Sequence, residues 1–298
     1  MAFVWDRCGR DNHGASMGWL RLGVSLLIAL AAAPGLAAQG ECLPGAGSNE
    51  ARTMALLSVP LVFSPAGAPE LLPGFRIGLE ASYVPHIDAA TATPTACQPG
   101  KGPEDVNRLP ALPRPRLALP LPFGLALETS WVPPIRVNGV KANLFSFSLG
   151  KAFGKLDGLV VGLRAHATVG SLRAPVTCPD VALRDPVSEC FGGQRSDDRF
   201  RPNLLGADVS ASWPMASGRV HPYVGTGYNR MRPRFQVNFT NQFNQLDNQR
   251  VSADLDRLAL FGGVTWHTTP ALSVSGEIYA VPSDAVTTRV VIRRALVP

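Results

Sequence analysis

The sequence has 298 residues, 46% of them hydrophobic and 17% charged, with a formal charge of +6. The basic excess is mild and scattered along the chain, which argues against nucleic acid as a partner. After Ala38 no apolar run approaches the roughly 18 residues of a helical span, so a membrane role for the remaining chain has to be a barrel role.

Residues 1–38 have the layout of a secretory signal peptide. Arg21 precedes an unbroken small and apolar run, Leu22 to Ala33, and Pro34-Gly35-Leu36-Ala37-Ala38-Gln39 offers a small-residue cleavage site, best placed after Ala38. Asp6, Arg7, Cys8, Arg10, Asp11 and His13 add nothing to such a signal, which makes Met17 a candidate start. The apolar run is too short to cross the ~30 Å hydrocarbon layer as a helix. Export with cleavage is expected.

Residues 39–74 alternate poorly. Ser48 or Asn49 can N-cap a short helix, and Pro60, Pro65, Pro69 and Pro73 interrupt the stretch beyond it. This segment is expected to plug a lumen or to add strands, taking the total from ten to twelve.

Residues 75–298 read as a transmembrane barrel, because period-2 alternation recurs from Phe75 onward. Phe75, Ile77, Leu79, Ala81 and Tyr83 oppose Arg76, Gly78, Glu80 and Ser82. A weaker, proline-interrupted strand is expected near Arg116 to Leu119. Phe123 to Trp131, Leu144 to Phe153, Leu159 to Val169 and Leu205 to Trp213 repeat the pattern, with the second face small or charged. Val220 to Phe239 reads as one long strand or a bent pair. Val251 to Trp266, Leu272 to Ala280 and Val286 to Leu296 complete about ten strands in an all-β, antiparallel, up-and-down transmembrane barrel.

The connections between these strands alternate long and short, at 85–114, 120–122, 133–142, 154–157, 170–202, 214–218, 241–250 and 267–270, with a final tight link at 281–285. Alternating outer loops and periplasmic turns are what outer-membrane barrels use. Tyr83, Trp131, Phe153, Trp213, Tyr228 and Trp266 fall at strand ends, the level of membrane-interface aromatic girdles.

Chemistry-bearing residues are few. Cys42, Cys97, Cys178 and Cys190 form an even set in an oxidising compartment, without C-x-x-C or zinc spacing, so structural disulfides are expected and no metal. Three pairings are open. Cys178 with Cys190 closes the loop 170–202 on itself. Cys42 with Cys97 would force the segment between Cys42 and Phe75 to traverse the barrel from outside to inside. Glu80, Glu128, Arg164, His166, Asp208, Glu277, Arg289 and Arg293 share the polar faces and form a candidate lumen charge network, in which Glu80 can pair with Arg289 across the barrel closure. His86 and Asp88 lie together at the rim, but no nucleophile or second acid accompanies them. Gly192-Gly193 lacks the context of a phosphate loop. No catalytic motif and no cofactor site is readable.

Pro222-Tyr223-Val224-Gly225-Thr226-Gly227-Tyr228, a proline-opened strand with alternating glycines and aromatics, resembles strands of the bacterial outer-membrane β-barrel superfamily. The resemblance is one of pattern and singles out no subfamily. It implies an outer-membrane location, with membrane lipid and the barrel-insertion machinery as partners. Members commonly end in an aromatic residue read by that machinery, whereas this chain ends Ala295-Leu296-Val297-Pro298. A lumen plug would match the N-terminal hatch of fatty-acid transporter barrels. The expected role is surface-structural or limited passive transport. The alternatives are a plugged channel for small or hydrophobic substrates and an enzyme at the outer rim.

Overall fold

The computed structural model describes residues 40–156 and 158–296, so the signal-peptide reading lies outside the described residues. Ten antiparallel strands close into a barrel. In chain order they are β1 (Arg76–Tyr83), β2 (Ala111–Leu121), β3 (Leu125–Val132), β4 (Val140–Leu156), β5 (Leu159–Ala174), β6 (Leu204–Ser212), β7 (Val220–Met231), β8 (Leu255–Thr269), β9 (Leu272–Val281) and β10 (Ala285–Ala295). Each strand pairs with the next, and β10 returns to β1 with Arg289 opposite Ser82 and Ala295 opposite Arg76.

Closure leaves each strand one face for lipid and one for the lumen, which is why the sequence alternates. Ile77, Leu79, Phe145, Phe147, Leu149, Leu163, Leu260 and Ile292 are exposed on the outer wall, while Glu80, Ser146, Ser148, Ser210, Ser275 and Glu277 are buried inside. This apolar belt is the surface of a membrane-spanning barrel. Tyr83, Trp131 and Tyr228 ring its outer end and Phe153, Trp213 and Trp266 its inner end, all exposed.

Several strand limits differ from the sequence reading. β2 runs over Ala111–Leu121 rather than Arg116 to Leu119. Pro113 and Pro115 offer no N–H, and the β2–β3 ladder ends below them at Arg116 opposite Ser130, while β2 stays paired with β1 up to Ala111 opposite Tyr83. Of the two readings of Val220 to Phe239 the bent pair holds, β7 and Arg234–Gln236 parted at Pro233, with Phe239 opening a further short strand. β5 extends to Ala174, so the outer loop begins later than residue 170.

Above the outer girdle the wall continues as a crown. Asp198–Arg201 pairs with the tip of β5, Arg234–Gln236 pairs with Asp198–Arg201, Arg250–Ser252 pairs with Arg234–Gln236, and Glu41–Cys42 adds a parallel edge. The chain therefore enters at the outer end. Helix α1 (Asn49–Ser58) comes next, N-capped by Ser48, whose Oγ accepts from the Ala51 N–H at 3.2 Å. Disulfides join Cys42 to Cys97 and Cys178 to Cys190, at S–S distances of 2.06 and 2.05 Å. With Cys42 held outside, the segment after α1 has to descend through the lumen to reach β1. Residues 59–74 add no strand, and residues 59–69 are a plug segment lying among lumen side chains.

Candidate functional site

Two regions inside the barrel carry chemistry: a charged layer that grips the plug, and an apolar cavity above it. The plug has little regular structure of its own, so its backbone polar groups need partners in a water-poor lumen. Wall side chains provide them. Every carbonyl from Val59 to Ala66 accepts a hydrogen bond from the wall. Arg289 Nη2 reaches Val59 at 3.0 Å, Arg114 reaches Pro60, Leu61 and Val62 at 3.1, 3.4 and 3.2 Å, and Thr168 also reaches Leu61 at 3.1 Å. Arg164 donates to Phe63 at 2.6 Å and Arg116 to Ser64 and Pro65 at 2.8 and 3.2 Å. Arg293 donates to Pro65 and Ala66 at 2.7 and 2.9 Å.

Carboxylates hold the arginines in place. Glu80, fully buried, accepts from Arg114 Nε at 2.8 Å, from Arg116 Nε at 2.5 Å and from Ser82 at 2.5 Å. Glu128 accepts from Arg116 at 3.0 Å and lies 3.5 Å from Arg293. Asp208 takes Arg164 in a forked pair at 2.8 and 3.2 Å, with His166 Nε2 at 3.5 Å. Glu277 receives Arg289 at 3.4 Å, Tyr223 Oη at 3.2 Å, the plug N–H of Ala66 at 2.9 Å and the Ser64 hydroxyl. The buried Phe63 ring lies among the cations, with the Arg116 guanidinium 4.2 Å from its centroid and those of Arg114 and Arg164 at 5.6 and 5.9 Å.

The eight charge-network residues read from the sequence thus all face the lumen, and four of them, Glu128, Arg164, Asp208 and Arg293, also line a cavity of about 130 Å³. Glu80 binds Arg114 and Arg116 rather than Arg289, whose partner is Glu277. The sequence reading missed Arg114 and Arg116. Their signal was the shared phase of Leu112, Arg114, Arg116 and Ala118, hidden by the prolines between them. Small residues allow the close fit: a Cβ on Gly67 of the plug would lie 2.5 Å from Arg293 Nη1, and one on Gly162 of the wall 2.6 Å from Pro69.

The rim pair dissolves in the structure. Asp88 caps the turn Ala89–Ala92, accepting from the Thr91 N–H and hydroxyl at 2.9 Å each, bonds that hold its carboxyl below the ordinary range. Among the described residues no cluster of His, Cys, Asp and Glu fits a metal ion.

The second region is a cavity of about 150 Å³ at the outer mouth. Met54 and Leu57 of α1, with Pro60 and Leu61 of the plug, face Leu112 of β2, Val140 of β4 and the loop residues Val106 and Leu109. The crown forms its outer wall. Leu172, Phe200, Phe235 and Val251 lie opposite one another in register on adjacent strands, so one apolar row faces inward. Glu50 of α1 ties down the loop that carries Cys97, its Oε1 accepting from the N–H groups of Thr95, Ala96 and Cys97 at 3.0, 2.8 and 2.8 Å. Partial burial works to raise its pKa, but the backbone donors Cys97 and Ala96 prevail and hold the carboxyl below 4.5. A depressed pKa gives a contribution present above 4.5 and lost as pH falls through the folded value. Hydrogen-exchange protection factors at residues 95–97, taken relative to the intrinsic rate at each pH, are expected to fall on acidification below pH 4.5, and Glu50→Gln to show the lower protection already at neutral pH.

No protein-family model matches the sequence, and no curated protein does. Among solved structures the chain is similar to Ail, the attachment invasion locus protein of Yersinia pestis, at 10% identity and a TM-score of 0.31, over 74% of this chain and 95% of that one. It is similar to Neisserial surface protein A at 12% identity and 0.28, over 75% and 97%. It is also similar to the P. putida toluene transporter TodX at 12% identity and 0.30, over 82% and 71%. The class of the protein rests on its own closed sheet and apolar belt, those of a β-barrel of the outer-membrane kind.

Proposed function

We propose that the protein is an outer-membrane barrel that is closed to passive flux and binds small apolar molecules at its outer mouth. The observation that carries this reading is the cavity of about 150 Å³ bounded by α1, the plug and the apolar row of the crown. Mostly apolar cavities of about this size take up molecules the size of benzene. The charged layer beneath supports a lumen that does not conduct, because its arginines are already committed to the plug. A surface-structural role is the second reading, favoured by the disulfide-tied crown.

Titration of the refolded protein with a benzene-sized fluorescent or NMR-active probe tests the proposal. Saturable binding is expected, and Leu172→Trp, which fills the cavity from β5, is expected to weaken it at least tenfold while heat-modifiable migration is unchanged. Absence of saturable binding, or equal binding by the Leu172→Trp variant, would leave the surface-structural reading.

A further inference from the structure

The crown has a second face. Strand register places Arg136 opposite Lys141, Lys141 opposite Arg173, Arg173 opposite Arg199, Arg199 opposite Gln236 and Gln236 opposite Arg250. Directly paired residues project to the same side of a sheet, so these side chains form one basic row across the crown. Arg201 opposite Arg234 begins a second row on the same face. Leu172, Phe200, Phe235 and Val251 alternate with the basic residues and point the other way, into the cavity, so the basic face is the outer one.

Counter-charge is sparse. Asp197 lies 3.0 Å from Arg173 and 3.9 Å from Arg136, Asp254 lies 2.8 Å from Arg234, and Glu41 stands opposite Arg250 in register at the edge of the row. Among the described residues Lys141, Arg199, Arg201 and Arg250 make no ion pair, and Arg199 Nε is buried without a hydrogen-bond partner. Burial, together with the charges of Arg201 and Arg173, lowers the pKa of Arg199, as expected for crowded cations.

Height places this row against the membrane surface. Trp131 of the outer girdle pairs with Phe145, and Phe145 pairs with Val169. Lys141 and Arg173 lie four residues further out on β4 and β5, on the same lipid-facing side. Four residues advance about 13 Å along a strand, or roughly 10 Å along the membrane normal at a tilt of about 40°. That is the level of the polar headgroups.

We propose that this outer face of the crown docks the phosphorylated headgroups of outer-leaflet glycolipid. A row of guanidinium groups matches phosphate in both charge and geometry, and its continuity with the lipid-facing wall puts the anion source in the adjoining leaflet. Binding there would neutralise the row and brace the strands that roof the cavity.

The full-length refolded protein, with disulfides intact in detergent micelles, is titrated with bisphosphorylated lipid A, with its dephosphorylated counterpart and with dextran sulfate. The phosphorylated lipid is expected to bind at least tenfold more tightly than the dephosphorylated form, with the preference shrinking as salt rises from about 0.05 to 0.5 M. A triple variant, Arg173→Gln, Arg199→Gln and Arg250→Gln, is expected to lose that preference while retaining heat-modifiable migration. Should it fail to fold, the double variant Arg136→Gln and Lys141→Gln on the neighbouring hairpin gives the same readout, with a smaller loss. Equal affinity for the two lipids, or an unchanged preference in a folded variant, overturns the proposal. Dextran sulfate displacing the phosphorylated lipid at lower charge concentration overturns it in favour of a soluble polyanion.

Discussion

Replacing Glu80 by Gln is expected to destabilise the refolded barrel by about 3–5 kcal/mol, the cost of leaving buried cations without their counter-ion. Glu80 is fully buried and is shared by Arg114 and Arg116, which also lie almost wholly out of solvent. Those two side chains together hold plug carbonyls from Pro60 to Pro65 apart from that of Phe63. Loss of one negative charge therefore acts twice: it leaves guanidinium groups uncompensated, and it loosens their aim at the plug. Glu128→Gln is the internal comparison. Its side chain is 14% exposed and lies 3.0 Å from Arg116 and 3.5 Å from Arg293, both of which keep other acceptors. Its effect is expected to be smaller. Urea unfolding in lipid vesicles, followed by tryptophan fluorescence, measures both. A loss below about 1 kcal/mol for Glu80→Gln, the range of a solvated ion pair, would contradict a dry and coupled network.

The Cys42–Cys97 bridge is expected to contribute about 4 kcal/mol through the unfolded chain, on the loop-entropy scale for residues 55 apart. Cys178–Cys190, 12 apart, is expected to contribute about 3 kcal/mol. The first bridge differs in what else it does, because it ties the chain entry to the loop that roofs the cavity. In the double variant Cys42→Ser, Cys97→Ser, residues 40–58 are expected to become sensitive to protease. Residues 59–66 are expected to stay protected, since the wall arginines rather than the disulfide hold them. Protease-cleavage mapping separates the two stretches. Simultaneous release of both would show that the disulfide is what keeps the plug in place.

The parts of this structure that show in the sequence are those where one side chain per two residues meets lipid. Phe75 to Tyr83, Leu144 to Phe153 and Leu272 to Ala280 alternate because each wall strand has one wet or packed side and one greasy side. The girdle aromatics follow the lipid-facing phase of these strands and the inward charges the opposite one. β2 was only partly legible, because Pro113 and Pro115 lie on the lipid side and erase the strand signature around Arg114 and Arg116. The plug was legible only as a segment that did not alternate. Its contacts run from backbone carbonyls to distant side chains, and carbonyls are common to every residue. The crown escaped sequence reading for another reason. Asp198–Arg201 and Arg250–Ser252 are short, and their basic and apolar rows exist only across strands, through pairings that no single segment encodes.

The most direct test of the closed lumen is planar-bilayer conductance of the refolded full-length protein, alongside a variant lacking residues 59–66. Wall arginines bonded to every plug carbonyl from Val59 to Ala66 predict no steady conductance for the intact chain and single-channel steps for the deletion. Steady open channels in the intact, disulfide-bonded protein would contradict it.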